Sequence, residues 1–238
     1  MNRTVRLIIA STFFALAAGP IHAAGPEAIE AVPMPDVAIY HLEGRRSERI
    51  VWLMEELGAP YELIFERGDL AGSMAKIRAV NPDVPMAPTV IIDGQVLVES
   101  GAIIEVILNR YAPDRLQPAL HTTDYANHLM WMHFAEGSLA ARLFSDYRAW
   151  LREPPTERSR LVDSEATVQY AENFLAKNAW FGGTNFTSAD IMMVFPLNVA
   201  TALNIVDVAQ FPHVAAWKKK IEGRGAYQRM LAVARPDG

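Results

Sequence analysis

The stretch NPDVPMAPTVIIDGQVLVESGAI, from Asn81 to Ile103, holds residues well placed to grip a small ligand. It reads as strand, two-residue turn, strand and helix, with Asp93-Gly94 as the favoured turn pair of a hairpin over 89–98. Pro88 stands at the head of the first strand, and Glu99-Ser100 stands where the helix begins. Proline gives no N–H to a sheet, and cis peptide bonds are essentially confined to X–Pro. A cis Ala87–Pro88 bond leaves backbone groups near Met86 and Ala87 facing outward, where an extended peptide can pair with them. The Glu99 carboxylate suits an ammonium, and the Ser100 hydroxyl at a helix start suits a carboxylate. Taken alone, the same residues also serve as a turn and a helix cap.

Other chemistries are excluded or unsupported. The 238 residues include no cysteine, which removes disulfides, zinc-thiolate sites and cysteine nucleophiles. His128 and His133 are five apart, poor spacing for two ligands on one helix face, so no metal site is implied. The segment EGSLA lacks the spacing of a hydrolase elbow, and the lysines at 218–220 fit an exposed helix face. A net charge of −5 gives no nucleic-acid footprint. Hydrophobic residues make up 51% of the chain and charged residues 21%, which fits a folded globular protein of one large or two small domains.

The elements that must position Pro88, Glu99 and Ser100 follow from periodicity. Residues 36–42 and 61–66 read as strands, with a helix over 47–58 carrying Ile50, Val51, Leu53, Met54 and Leu57 at helical spacing. Ser47 is its expected N-cap and Gly58 its stop. A short helix is expected over 74–80, and Ser100 is expected to cap a helix running to Tyr111. The order β-α-β-α-β-β-α requires a parallel first pair, to which the hairpin adds antiparallel neighbours. After the two prolines of residues 112–118, strand signals end. Helices are expected near 123–150, 156–177, 188–203, 212–222 and 225–232, with Thr187 and Asp190 forming a capping box. The N-terminus has Arg3 and Arg6, an apolar run from Leu7 to Ala18, and Ile21 and Ala23 in the −3 and −1 places of a cleavage site. This makes 1–23 an expected signal peptide and 24–36 a linker, so the mature protein is expected to be periplasmic or secreted, with no membrane span. Translation from Met34 would instead give a cytoplasmic protein.

The segments YHLEGRRSERIVWLMEELGAPYEL, MAPTVIIDGQVLVESGAI, MHFAEGSL and FTSADI, in this order, resemble the glutathione transferase family, particularly its bacterial and fungal members. The resemblance spans roughly residues 37–235. It implies a thioredoxin-like α/β domain over 37–112 that binds glutathione, followed by an all-α domain over 119–235 that holds the acceptor. Glutathione is then the co-substrate, with no metal. Its cysteinyl backbone would pair near Met86, Ala87 and Pro88, its γ-glutamyl carboxylate with Ser100 and its ammonium with Glu99. Tyr40 matches the catalytic tyrosine of some members. Where serine-type members carry their serine, this chain has Gly44 and Arg45. Tyr40, Arg45 and Ser47 are therefore the candidates to activate the thiol. Trp131, His133, Phe134, Glu136 and Ser138 are candidates for the acceptor pocket between the domains.

The implied activity is conjugation of the glutathione thiolate to a hydrophobic electrophile, possible peroxidase action included, in detoxification. A noncatalytic ligand-binding or scaffolding role and a glutathione-dependent lyase or dehalogenase are the alternatives. The resemblance also implies a homodimer.

Overall fold

The structure, a computed structural model, describes residues 35–153 and 163–235. The expected signal peptide and nearly all of the expected linker lie outside the described residues. Strands β1 (Val37–Tyr40), β2 (Glu62–Ile64), β3 (Thr89–Ile92) and β4 (Gln95–Val98) form one sheet in the order β2-β1-β3-β4. β1 pairs parallel with β2 and antiparallel with β3, and β3 pairs antiparallel with β4. Helices α1 (Glu48–Leu57), α2 (Leu70–Val80) and α3 (Ser100–Tyr111) complete this part. It is the thioredoxin-like arrangement that the family resemblance implies.

The rest is helical: α4 (Thr123–Phe134), α5 (Ala141–Arg152), α6 (Asp163–Leu175), α7 (Ser188–Ala202), α8 (Pro212–Glu222) and α9 (Gly225–Ala234). The expected helix over 123–150 is interrupted. Between α4 and α5, Ala135–Ala140 (AEGSLA) forms a π-helical turn, a device often found at functional sites. α7 begins at the expected capping box. Asp190 accepts the Thr187 N–H at 2.9 Å, and the Thr187 hydroxyl accepts the Ala189 N–H at 3.2 Å. The other Asp190 oxygen accepts the Phe181 N–H (2.9 Å) and the Trp217 indole N–H (2.8 Å), which ties the loop before α7 to α8.

Three expected details are corrected. α2 starts four residues early, because Asp69 caps it by accepting the Gly72 N–H at 2.9 Å. Ser47 occupies the N-cap place of α1 without a side-chain cap bond. Ser100 is the first residue of α3, with Glu99 in the cap place and again no side-chain cap. The α1 pattern also understates its burial. All residues from Glu48 to Met54 are buried, because the helix packs against α3 and against α7 and α9 at once. That second contact joins the two parts and turns the polar Glu48 and Arg49 inward.

Candidate functional site

A cleft of about 450 Å³ opens between the β1–α1 loop, the turn before β3 and the start of α3. Arg45, Met86, Ala87, Pro88, Glu99 and Ser100 line it. The fold thus gathers all five residues singled out between 86 and 100, together with one thiol-activating candidate. The Ala87–Pro88 bond is cis. One lone pair of the Met86 carbonyl is already used by the Thr89 hydroxyl at 2.7 Å, so that carbonyl is less open than the sequence suggests.

Glu99 has φ of 70° and ψ of 109°, a backbone region that an L residue avoids. Holding it there costs about 1–3 kcal/mol. Ser100 lies just beneath and is buried, with its oxygen 3.4 Å from Arg49 Nη1. Among the described residues the Ser100 hydroxyl proton has no acceptor, which leaves it able to donate to a ligand.

The floor is a charge cluster that crosses from α1 to the π-helical turn. Arg46 donates from Nε and Nη2 to the two Glu136 oxygens at 2.7 and 2.8 Å. Arg49 donates from Nη1 to the same carboxylate at 2.6 Å and from Nη2 to the Met192 carbonyl at 2.5 Å. Burial pulls the Arg49 guanidinium down to about 10, with the Glu136 charge opposing the shift. Burial alone would push the Glu136 carboxyl up. The Arg46 hydrogen bond and the two arginine charges overcome it and hold the group below the usual carboxylate range. Arg45 differs from both. It is exposed, donates only to the Gly44 carbonyl at 3.2 Å, and among the described residues has no carboxylate partner.

The other activating candidates do not reach the cleft. Strand alternation places Tyr40 on the face of Ala38, opposite the buried Val37 and Ile39, and Tyr40 is not part of the cleft wall. Ser47 is fully buried. His41 Nε2 donates to the Ala234 carbonyl at 2.9 Å, and burial keeps the ring below its ordinary value and neutral. His41 Nδ1 therefore accepts the Ser47 hydroxyl proton at 2.8 Å, while Ser47 Oγ accepts the Leu42 N–H at 3.0 Å. That proton is engaged within the β1–α1 loop, and His41 Nε2–H joins the loop to α9.

The acceptor-pocket candidates also go elsewhere. Trp131 is fully buried among Phe134, Phe174, Phe181 and Tyr170, with ring centroids 4.7–5.3 Å away. His133 faces solvent. Phe134 and Ser138 line a separate groove against α6. Glu136 alone of this group meets the cleft, and it does so as the arginine clamp. The reason is geometric: positions 134 and 138 share one helix face and 136 projects from another. What adjoins the cleft is a void of about 170 Å³ between α1, α7 and α9, whose apolar wall includes Trp52, Val194, Phe195, Val199 and Met230. Arg45 borders both spaces. Sequence reasoning missed these residues and Arg49. An arginine in the first turn of α1, directly before the apolar run Ile50–Met54, was the one available signal.

Among the described residues no group of three His, Asp or Glu could hold a metal ion, and no helix is long and apolar enough to cross a membrane.

Comparison with known proteins bears on this geometry. Residues 35–109 match the family model of the glutathione S-transferase N-terminal domain, and 158–224 match that of the C-terminal domain; together they cover more than half of the chain. The chain is 28% identical over 207 residues to glutathione S-transferase 3 of Schizosaccharomyces pombe, covering 80% of this chain and 84% of the relative. A crystal structure of a glutathione S-transferase from Actinobacillus pleuropneumoniae superposes with a TM-score of 0.72 at 28% identity, covering 84% of this chain and 93% of that one. A theta-class enzyme from Xanthomonas axonopodis pv. citri, solved with glutathione bound, gives a TM-score of 0.61 at 26% identity, covering 82% and 97%.

Proposed function

Because the chain belongs to the glutathione S-transferase family, we propose that it binds glutathione in the cleft beside Pro88 and transfers its thiolate to a small hydrophobic electrophile. One observation carries this reading: Met86, Ala87, Pro88, Glu99, Ser100 and Arg45 share a single cleft of about 450 Å³. The glutathione held by the Xanthomonas relative supports it. In the proposed complex the backbone at Met86 and Ala87 pairs with the cysteinyl residue. The Ser100 hydroxyl and the start of α3 take the γ-glutamyl carboxylate, and Glu99 takes the ammonium.

Conjugation needs the thiolate, and a thiol of reference pKa about 8.5 is mostly protonated at neutral pH. Lowering it by two units requires about 2.7 kcal/mol of differential stabilisation. With Tyr40 and Ser47 turned away, that work falls to the Arg45 cation and the start of α1. The thiol gives its proton to water. The S–C bond then forms as the electrophile's leaving group departs with its bonding pair. In the peroxidase variant the thiolate attacks a peroxide oxygen, the O–O bond breaks with its pair leaving on the alkoxide, and a second glutathione displaces water from the resulting sulfenic acid to give glutathione disulfide.

The second reading is a noncatalytic glutathione-binding protein. The observation favouring it is that no side-chain hydroxyl reaches the cleft from the β1–α1 segment. Calorimetric titration of residues 24–238 with reduced glutathione tests the shared part. Binding should saturate and weaken about tenfold in Ser100→Ala, the loss of one hydrogen bond to a charged group. No binding in the wild type would end both readings. Turnover of a chromogenic electrophile that disappears in Arg45→Ala, with glutathione still bound, selects the enzyme. Binding without turnover selects the second reading. Export after cleavage at Ala23 and a homodimer belong to the same proposal. N-terminal sequencing of the mature protein and sedimentation equilibrium test them.

A further inference from the structure

The void between α1, α7 and α9 has a size, a wall and a charge that together specify a ligand. Its volume is about 170 Å³. An apolar protein cavity of about 150 Å³ accommodates benzene, so this space takes one ring or a short chain. Trp52, Val194, Phe195, Val199 and Met230 supply a largely apolar wall. The charged members of the wall are Arg45, Arg49, Arg235 and a single acid, Glu48.

The acid is already engaged. Both Glu48 oxygens accept from Arg235, and one also accepts the Gly44 N–H at 2.7 Å. Arg49 is matched by Glu136, which it shares with Arg46. Arg45 has no carboxylate partner among the described residues, so the wall keeps positive charge unmatched. A second cation, Arg49, also borders the void; it is 3% exposed and shares its one carboxylate, Glu136, with Arg46.

We infer that this void is a binding site for a small carboxylate of about one ring in size, with its apolar body between α7 and α9 and its charge toward Arg45 and Arg49. Arg45 borders the glutathione cleft as well, so a compound seated here is within reach of the sulfur. The inference therefore rests on the transferase reading where it names the second substrate: an acid-bearing small electrophile in place of a bulky neutral one. The binding site itself does not depend on that reading.

The test is calorimetry of residues 24–238 with benzoate, in the absence of glutathione, against neutral benzyl alcohol. Benzoate should bind saturably and about tenfold more tightly than the alcohol, the effect of one charge-assisted hydrogen bond. Val199→Phe, which fills the void, should abolish benzoate binding while the thermal melt stays cooperative. Arg45→Gln, at an exposed position, should remove most of the preference for the acid. Ser100→Ala should leave benzoate binding unchanged. No saturable benzoate binding, equal affinity for the alcohol, or binding that survives Val199→Phe in a folded protein overturns the site. So does weakening by Ser100→Ala, which would place benzoate in the cleft. Glutathione titration answers separately: benzoate binding without glutathione binding would remove the transferase reading and leave the site standing.

Discussion

Two carboxylates sit at two junctions of this molecule and are satisfied in opposite ways. Asp190, at the start of α7, is fully buried and is held by neutral donors, among them the Phe181 and Thr187 N–H groups and the Trp217 indole. Burial raises it to about 6, against the pull of those hydrogen bonds. Glu136, in the π-helical turn, takes two guanidinium groups and is held low. The Asp190 junction lies in the core and fixes the helical part. The Glu136 junction borders an open cleft and fixes the arginines beneath it. A carboxylate held by dipoles can be sealed away from water, whereas one held by guanidinium groups leaves charge beside a space that a ligand can enter.

The comparison breaks first at Asp190. In Asp190→Ala the Phe181, Thr187 and Trp217 N–H groups stay buried without an acceptor, each at about 1–3 kcal/mol, and a loss of about 4 kcal/mol is expected in urea denaturation.

The next effect is a pH dependence around the same junction. His128 Nδ1 lies 3.0 Å from the Thr187 hydroxyl, and burial lowers the ring from 6.5 to about 4. The unfolded chain takes up that proton first, so the folded state loses up to about 3 kcal/mol as pH falls from 6.5 to 4. Asp190 works in the other direction. Its folded value of about 6 lies above the ordinary value of 3.8, so the folded state takes up the proton first and gains relative stability as pH falls through that window. The two contributions largely cancel in the wild type. His128→Asn should therefore become relatively more stable from pH 6 to pH 4, and Asp190→Asn relatively less stable, in denaturant titrations at each pH.

At the cleft, Glu136→Gln leaves Arg49 buried with its charge uncompensated. Breaking a fully buried pair costs about 3–5 kcal/mol. The Glu136 side chain is 30% exposed, which reduces the expected loss to about 2 kcal/mol. Glutathione affinity should also fall several-fold, because Arg49 contacts Ser100. The smallest effect on stability is expected from Glu99→Gly. It relieves the backbone held at φ 70° and should stabilise the fold by about 1 kcal/mol or less in thermal melts. It should also weaken glutathione about tenfold in calorimetry by removing the ammonium partner.

The cleft was legible because most of it lies within one short stretch. Pro88, the Asp93-Gly94 turn and the Glu99-Ser100 pair are separated by fewer residues than a hairpin and one helical turn need, so local chain geometry places them together. The parallel first strand pair, the hairpin and the capping box at Thr187 were legible for the same reason: each follows from elements adjacent in sequence. The acceptor space was not legible, and of the three thiol-activating candidates only Arg45 stands at the cleft. Tyr40 and Ser47 carry suitable hydroxyls, but strand alternation turns one away and His41 engages the other. Phe134 and Ser138 lie on a suitable helix, yet the packing of α4 and α5 presents them to α6.

By itself the sequence determined most of the secondary structure, the α/β part followed by helices, and the Pro88 turn and hairpin of the 86–100 stretch, because propensity, periodicity and turn chemistry act over a few residues. Only the tertiary structure decided that Arg46 and Arg49 share Glu136, that Arg45 stands without a carboxylate partner, and that α1, α7 and α9 enclose a charged void. Those contacts join residues up to 187 positions apart, as between Glu48 and Arg235, and their partners are set by how helices pack. Side-chain type alone gives no information about which charge will meet which.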